Sequence, residues 1–107
     1  MIRAALVFLV FSLLAGQALA AFYDGNALFA DCDKGDEYNT LEWRLCSGYI
    51  TGVAEALPGQ VFCLPATASV GQIRDTVKLW LKDHPEKRHL AASSLVVNAL
   101  KEKFPCP

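Results

Sequence analysis

The cysteine content constrains the fold of this 107-residue chain more than any other feature. The sequence contains four cysteines, all after residue 20: Cys32, Cys46, Cys63 and Cys106. An even number in a small exported chain predicts two disulfides, and a domain of this size needs such covalent support because its single core is only marginally sufficient.

Helix length favours one of the three possible pairings. If Cys46 lies within a helix that ends near residue 57, it is about eleven residues, or roughly 16 Å, from that end. The short link that follows would have to run back along this whole distance for Cys63 to reach Cys46. We therefore expect Cys32 to pair with Cys46, and Cys63 with Cys106.

The first twenty residues have the pattern of a secretory signal peptide. Arg3 is their only charge, an apolar run covers residues 4–15, and Ala18 and Ala20 form an A-x-A cleavage site. The run is shorter than the roughly 20 residues that a membrane-spanning helix needs. We expect residues 1–20 to be removed and residues 21–107 to form one soluble, exported domain, whose destination in a Gram-negative bacterium is the periplasm.

Enzymatic and metal-binding residues are expected to be absent. His84 and His89 are five residues apart, about 140° around a helix, so they do not form a metal-binding pair. No cysteine pair has C-x-x-C spacing, and a disulfide-bonded thiol cannot act as a nucleophile. Ser93 and Ser94 lack the flanking glycines of a nucleophile elbow. The sequence therefore predicts a protein without cofactor, metal or catalytic activity.

Capping signals predict the start of two helices in the first half. Asp24 can cap a short helix over residues 25–32. Asn39 can cap a longer one, with Glu42 three residues later in a capping-box arrangement. The Leu-Pro-Gly sequence at 57–59 ends this second helix.

Two further helices follow in the second half. Ser69 and Gln72 form a capping box before a helix that extends to Asp83. Pro85 is expected to open the fourth helix, which ends near residue 104. No long segment alternates with period two, so the fold class is all-α, a compact bundle of four to five helices stapled by two disulfides.

Helical spacing also predicts the buried residues of two helices. The predicted buried face of the second helix consists of Leu45, Cys46, Tyr49, Ile50, Val53 and Leu57. The predicted buried face of the fourth helix consists of Ala92, Leu95, Val96, Ala99 and Leu100.

A strip of small residues occupies the second helix, where Gly48, Gly52 and Ala56 recur every four residues. Glycine inside a helix costs about 0.5–1 kcal/mol relative to alanine, so two glycines need a compensating contact. We expect the strip to pack closely against the first or fourth helix of the same chain. The alternative is a seam between two copies in a homodimer.

Charge is distributed unevenly along the chain. Residues 21–57 carry seven acidic and two basic residues, whereas residues 58–107 carry four acidic and seven basic ones. The simplest interpretation is that the charged side chains of each half face the solvent. The alternative is an acidic patch, including Asp33, Asp36 and Glu37, that binds a basic protein partner. The basic half lacks a dense cluster with interleaved aromatic residues, so nucleic acid is not an expected partner.

Several short motifs occur in a recognisable order: residues 46–53 (CSGYITGV), residues 63–65 (CLP), Gln72, Leu81, residues 84–86 (HPE), residues 99–100 (AL) and residues 104–106 (FPC). In these motifs, from about residue 25 to Cys106, the chain resembles the Rap/Tai family of periplasmic immunity proteins, which act against amidase effectors of type VI secretion systems.

The resemblance implies an exported all-α protein, often dimeric, that inhibits a cell-wall amidase by occluding its catalytic cleft. Such inhibition requires only a binding surface with a few buried anchors. The motif residues are structural, so the contacts are expected in the links at 33–38 and 58–62. The alternative function is that of a small periplasmic chaperone or stress-response module, which exposes apolar surface when acid protonates its carboxylates.

Overall fold

The computed structural model describes residues 22–34, 37–57, 59 and 61–107. The predicted signal peptide therefore lies outside the described residues. The element order is α1 (Gly25–Lys34), α2 (Leu41–Ala56), α3 (Val70–Asp83), a 3-10 turn (Pro85–Lys87) and α4 (Ala92–Lys103). Each of the four helices contacts the other three. The predicted all-α fold is confirmed: these helices form one bundle, and the described part of the chain contains no sheet.

Two of the predicted helix starts are confirmed by their capping bonds. The Ala27 amide donates to Asp24 Oδ1 over 2.8 Å at the start of α1. At the start of α3, the Gln72 amide donates to Ser69 Oγ over 3.2 Å, and the Gln72 side chain accepts from the Ser69 amide over 2.9 Å. These bonds satisfy helix amides that have no partner within the helix itself.

The predicted capping box at Asn39 and Glu42 is wrong, because the cap of α2 is Thr40. The Trp43 amide donates to Thr40 Oγ1 over 3.2 Å, and Thr40 has the extended backbone of a cap residue. Asn39 instead adopts a left-handed conformation with φ of 70°, which asparagine tolerates better than most residues. Arg44 Nε donates to the Asn39 side chain over 3.2 Å and holds this turn against α2.

The prediction that Pro85 opens the fourth helix is also wrong. Pro85 begins the 3-10 turn, and α4 starts only at Ala92. Between them, the carbonyls of Arg88 and Leu90 accept hydrogen bonds of 2.8 and 2.9 Å from the first amides of α1. Because this link pairs with the start of α1, it does not continue as a helix.

The core contains the predicted buried residues of α4, all of which are at most 1% exposed. The prediction for α2 is only partly confirmed. Cys46 and Ile50 are fully buried, but Ala54 completes the buried face and Leu45 is 47% exposed. Phe62, in the link after α2, is also fully buried. The real buried face of α2 is therefore rotated away from Leu45.

Both predicted disulfides are confirmed. Cys32–Cys46 joins α1 to α2, and Cys63–Cys106 joins the link after α2 to the C-terminus. The Cys63 amide also donates to the Phe104 carbonyl over 2.8 Å, so a backbone hydrogen bond accompanies the second bridge. Over the described ranges, no helix is long and apolar enough to cross a membrane.

Candidate functional site

The acidic link between α1 and α2 is the first candidate binding surface. Asp33, in the last turn of α1, and Glu37, four residues before the start of α2, are both exposed. Asp36, the third acidic residue predicted for partner binding, lies outside the described residues. Thr40 Oγ1 donates to the Glu37 carbonyl over 3.0 Å, so the second half of the link is a hydrogen-bonded turn.

This turn also presents two large apolar side chains that the sequence interpretation did not identify. Tyr38 is 77% exposed and Leu41 is 65% exposed. The Tyr38 ring packs edge-on against Trp43, with centroids 4.8 Å apart. A tyrosine preceded by two acidic residues was the available signal, but only the structure shows that its ring remains accessible. Tyrosine is typical of the anchors of protein–protein interfaces.

The small-residue strip of α2 does not pack within the chain as expected. Gly48, Gly52 and Ala56 are exposed, and a β-carbon added at either glycine would have no neighbour within 4 Å outside its own segment. The reason is the orientation of α2, whose buried face centres on Ile50, about 180° around the helix from the strip. The prediction of close intramolecular packing is therefore wrong.

Exposed apolar side chains continue this strip along α2. Leu41 and Leu45 fall within about 60° of Gly48 and Gly52 around the helix. Beside them lies a mainly apolar cleft of about 420 Å³, bounded by Tyr23, Arg44, Leu45, Gly48 and Tyr49. This strip of small and apolar residues, flanked by exposed Arg44 and Glu55, has the composition of a helix–helix seam between two copies.

The partly buried phenol ring of Tyr23 forms one wall of this cleft. The Tyr23 ring lies against Tyr49 with centroids 4.9 Å apart, and its hydroxyl donates to Asp31. Burial raises the pKa of Tyr23 above its ordinary value, and the hydrogen bond to Asp31 raises this pKa further. Tyr23 therefore stays protonated and ties the segment before α1 to the body of that helix.

The residues considered for catalysis or metal binding have structural surroundings. All four thiols are oxidised in disulfides. His84 stacks on Trp80 with ring centroids 4.0 Å apart, while His89 is exposed in the link before α4. Ser93 and Ser94 lie at the edge of a shallow groove between α2 and α4. Within the described part of the chain, no three His, Cys, Asp or Glu residues are grouped to hold a metal ion.

Comparison with models of known protein families yields a match. The family model described as Rap1a immunity proteins matches residues 24–106, which include all four helices and both disulfides. None of the curated proteins matches the chain.

Proposed function

This chain belongs to the Rap1a immunity protein family, and from that membership we propose that it binds a cell-wall amidase effector of a type VI secretion system and inhibits it by occluding the catalytic cleft. The observation that carries the proposal is the family match over residues 24–106. Membership itself implies an immunity protein with a protein effector as its partner; the amidase and the secretion system are the proposed part.

The acidic link supports this proposal by its shape and its charge. Tyr38 projects from a turn that Thr40 and Arg44 hold by hydrogen bonds, so little conformational entropy is lost when a partner covers it. An enzyme that approaches the anionic cell wall is expected to have positive charge around its cleft. Asp33 and Glu37 would attract such a rim and raise the association rate.

We place the protein in the periplasm and assign it no reaction of its own. Two disulfides fit an oxidising compartment such as the periplasm. Occlusion of a cleft needs only complementary surfaces, and the oxidised thiols leave the cysteines unable to act as nucleophiles. We also propose that the apolar strip of α2 with Gly48, Gly52 and Ala56 joins two copies in a homodimer.

The decisive experiment measures inhibition of a purified amidase encoded beside this protein, with peptidoglycan as substrate. The wild-type protein is expected to inhibit it in a 1:1 ratio of chains. Tyr38→Ala is expected to weaken the complex about 30-fold, which corresponds to an interface anchor of about 2 kcal/mol. Leu90→Ala is the matched control. Leu90 is also exposed, but it lies in the link before α4, beside the start of α1, whereas the acidic link follows the end of α1.

The chaperone alternative makes different predictions for the same preparation. An immunity protein should retain its fold near pH 3 and should not suppress aggregation of unrelated proteins. Acid-induced binding of an apolar dye, together with protection of unrelated clients and no inhibition of the amidase, would contradict our proposal and favour the chaperone.

A further inference from the structure

A second cleft, of about 410 Å³, lies between α3 and α4 and collects acidic residues from the basic half of the chain. Of the four acidic residues after residue 57, three line this cleft: Asp75, Asp83 and Glu102. Asp75 and Asp83 lie on α3, and Glu102 joins them only because α4 packs against α3. Local charge here is therefore opposite to the net charge of the surrounding half.

Two of these carboxylates are the stronger cation-binding groups. Asp75 already pairs with Arg74 over 3.2 Å, and Lys103 also lines the cleft. Asp83 is the last residue of α3, where the helix carbonyls add negative potential. Glu102 uses one carboxylate oxygen to accept a hydrogen bond of 2.9 Å from Trp80 Nε1, and a carboxylate has further acceptor capacity on its second oxygen.

Two other polar side chains of the cleft donate their hydrogens to backbone carbonyls of α3 and not into the cleft. Thr76 Oγ1 donates to the Gln72 carbonyl over 2.8 Å. His84 Nδ1 lies 2.7 Å from the Trp80 carbonyl, and since a carbonyl only accepts, Nδ1 must carry the hydrogen. The remaining acceptors of the cleft are its carboxylate oxygens, and the nearby cations are Lys103 in the lining and Lys87, whose Nζ lies 5.7 Å from the centroid of the Trp80 ring. A ligand with several donors can pair with these oxygens.

Apolar and aromatic side chains also line the cleft, beside these acceptors. Leu79 is 58% exposed on α3, and Ala99 lies across the cleft on α4. Trp80 and His84 form a stacked pair inclined by only 18°, which gives the cleft a flat side. A long side chain with a methylene stem and a planar charged end matches both features.

We propose that this cleft binds an arginine side chain presented by a protein partner. The guanidinium has five donors in one plane and reaches Glu102 and Asp83, while the stem lies on Leu79. Lysine fits less well because its ammonium concentrates three donors on one atom. The inference rests on the proposed function in one respect only, which is the identity of the protein that carries the arginine.

The test is a titration of the ¹⁵N-labelled protein with N-acetyl-arginine amide, followed by NMR. The indole N–H of Trp80 lies in the cleft and gives its own signal, so a saturable shift of this signal and of the Leu79 amide is expected. The expected dissociation constant is on the order of 1–10 mM, as for a small ligand without a carrier protein. N-acetyl-citrulline amide, a neutral ligand of almost the same shape, should produce no saturable shift.

Glu102→Gln is the informative variant. Glutamine can still accept from Trp80 through its carbonyl oxygen, so the cleft keeps its shape while losing one charge. Binding of the arginine ligand is expected to weaken about ten-fold, the usual scale of a charge-assisted hydrogen bond. Glu55→Gln, an exposed carboxylate on α2, is the matched control and should bind like the wild type.

Three results would each overturn the inference: no saturable shift with the arginine ligand, an equal response to citrulline, or equal affinity for N-acetyl-lysine amide. None of them depends on an amidase. A protein that inhibits its amidase but fails this titration would contradict only the arginine site. One that binds the arginine ligand but inhibits no amidase would contradict only the proposed function.

Discussion

Gly25 and Leu95 approach so closely that a β-carbon on Gly25 would lie 2.3 Å from Leu95 Cδ1. The same β-carbon would lie 2.8 Å from the backbone oxygen of Arg88. The start of α1 therefore lies in close contact with both α4 and the link that precedes α4. Only glycine leaves room for this approach, because rigid backbone forms part of the wall.

Gly25→Ala is expected to lower the free energy of unfolding by about 1–3 kcal/mol, since the added methyl group overpacks this contact. Gly71→Ala, on α3, is the control. Its β-carbon would meet only Ser69 Oγ, at 3.9 Å, so this variant should raise stability by about 0.5–1 kcal/mol. Urea unfolding of both variants measures the difference, and equal midpoints would contradict the close approach at Gly25.

Stability should decline at alkaline pH because of Tyr23. Burial and the hydrogen bond to Asp31 raise the pKa of Tyr23, so the unfolded chain releases this proton at lower pH than the folded one. Above about pH 10 the unfolded state therefore binds fewer protons, and the free energy of unfolding falls as pH rises. In urea unfolding between about pH 8 and 12, Tyr23→Phe should show a shallower fall than the wild type. Tyr38→Phe, in which an exposed ring loses its hydroxyl, is the control, and identical slopes for the two variants would argue against the role of Tyr23.

Loss of the Cys63–Cys106 bridge should destabilise the domain. The double substitution Cys63→Ser and Cys106→Ser removes a link across a sequence separation of 43 residues. The free energy of unfolding is expected to fall by about 2–4 kcal/mol, because the unfolded chain gains entropy. Urea unfolding measures this loss, while thiol titration of the native wild-type protein should find no free cysteine. An unchanged midpoint would show that the bridge adds nothing to stability.

The exposed strip of α2 gives a test of association. Gly52→Leu adds a bulky side chain at an exposed position where a β-carbon has no neighbour within 4 Å, so the variant should remain folded. If two copies join through the strip, as proposed, light scattering should show a dimer for the wild type and a monomer for Gly52→Leu. Gly59→Ala is unsuitable as a control because Gly59 has φ of 73°, but Gly71→Ala on α3 serves. A variant that remains dimeric would exclude this seam.

The acidic link should act mainly on the association rate. Replacing Asp33 and Asp36 with asparagine and Glu37 with glutamine removes three negative charges without changing side-chain size. Stopped-flow mixing with the cognate amidase should show slower association at low salt and a weaker salt dependence, because such attraction is screened over about 8 Å at physiological ionic strength. If the triple variant associates as fast as the wild type at low salt, the contact lies elsewhere, and the link at 58–62 becomes the better candidate.

Local signals in the sequence were sufficient where a helix is defined by its own residues. Ser69 and Gln72 satisfy each other's amides, so the start of α3 was predictable. The start of α2 was not, because Asn39 and Thr40 are both competent caps and only the left-handed turn at Asn39 selects Thr40. The start of α4 depended on a distant partner, since the carbonyls of Arg88 and Leu90 bind the amides of α1.

The candidate binding surfaces depended still more on packing. Periodicity shows which residues share one side of α2, but it does not show which side meets the core. For that reason the sequence favours an internal contact for the strip at Gly48 and Gly52, although the strip is exposed. No pattern in the sequence predicts the cleft between α3 and α4, because Asp83 and Glu102 line the same cleft only through helix packing.

By itself, the sequence determined the all-α class and the capped starts of α1 and α3, and helix length, by arguing against a Cys46–Cys63 bridge, favoured the observed pairing of the cysteines. These properties depend on short-range hydrogen bonding, side-chain periodicity and the reach of a short link, which act within one segment or between adjacent ones. Tertiary structure decided where α4 begins, which face of α2 is buried and which carboxylates share a cleft. Each of these outcomes is set by contacts between residues distant in sequence, whose close packing follows from the shape of the whole core rather than from any local pattern.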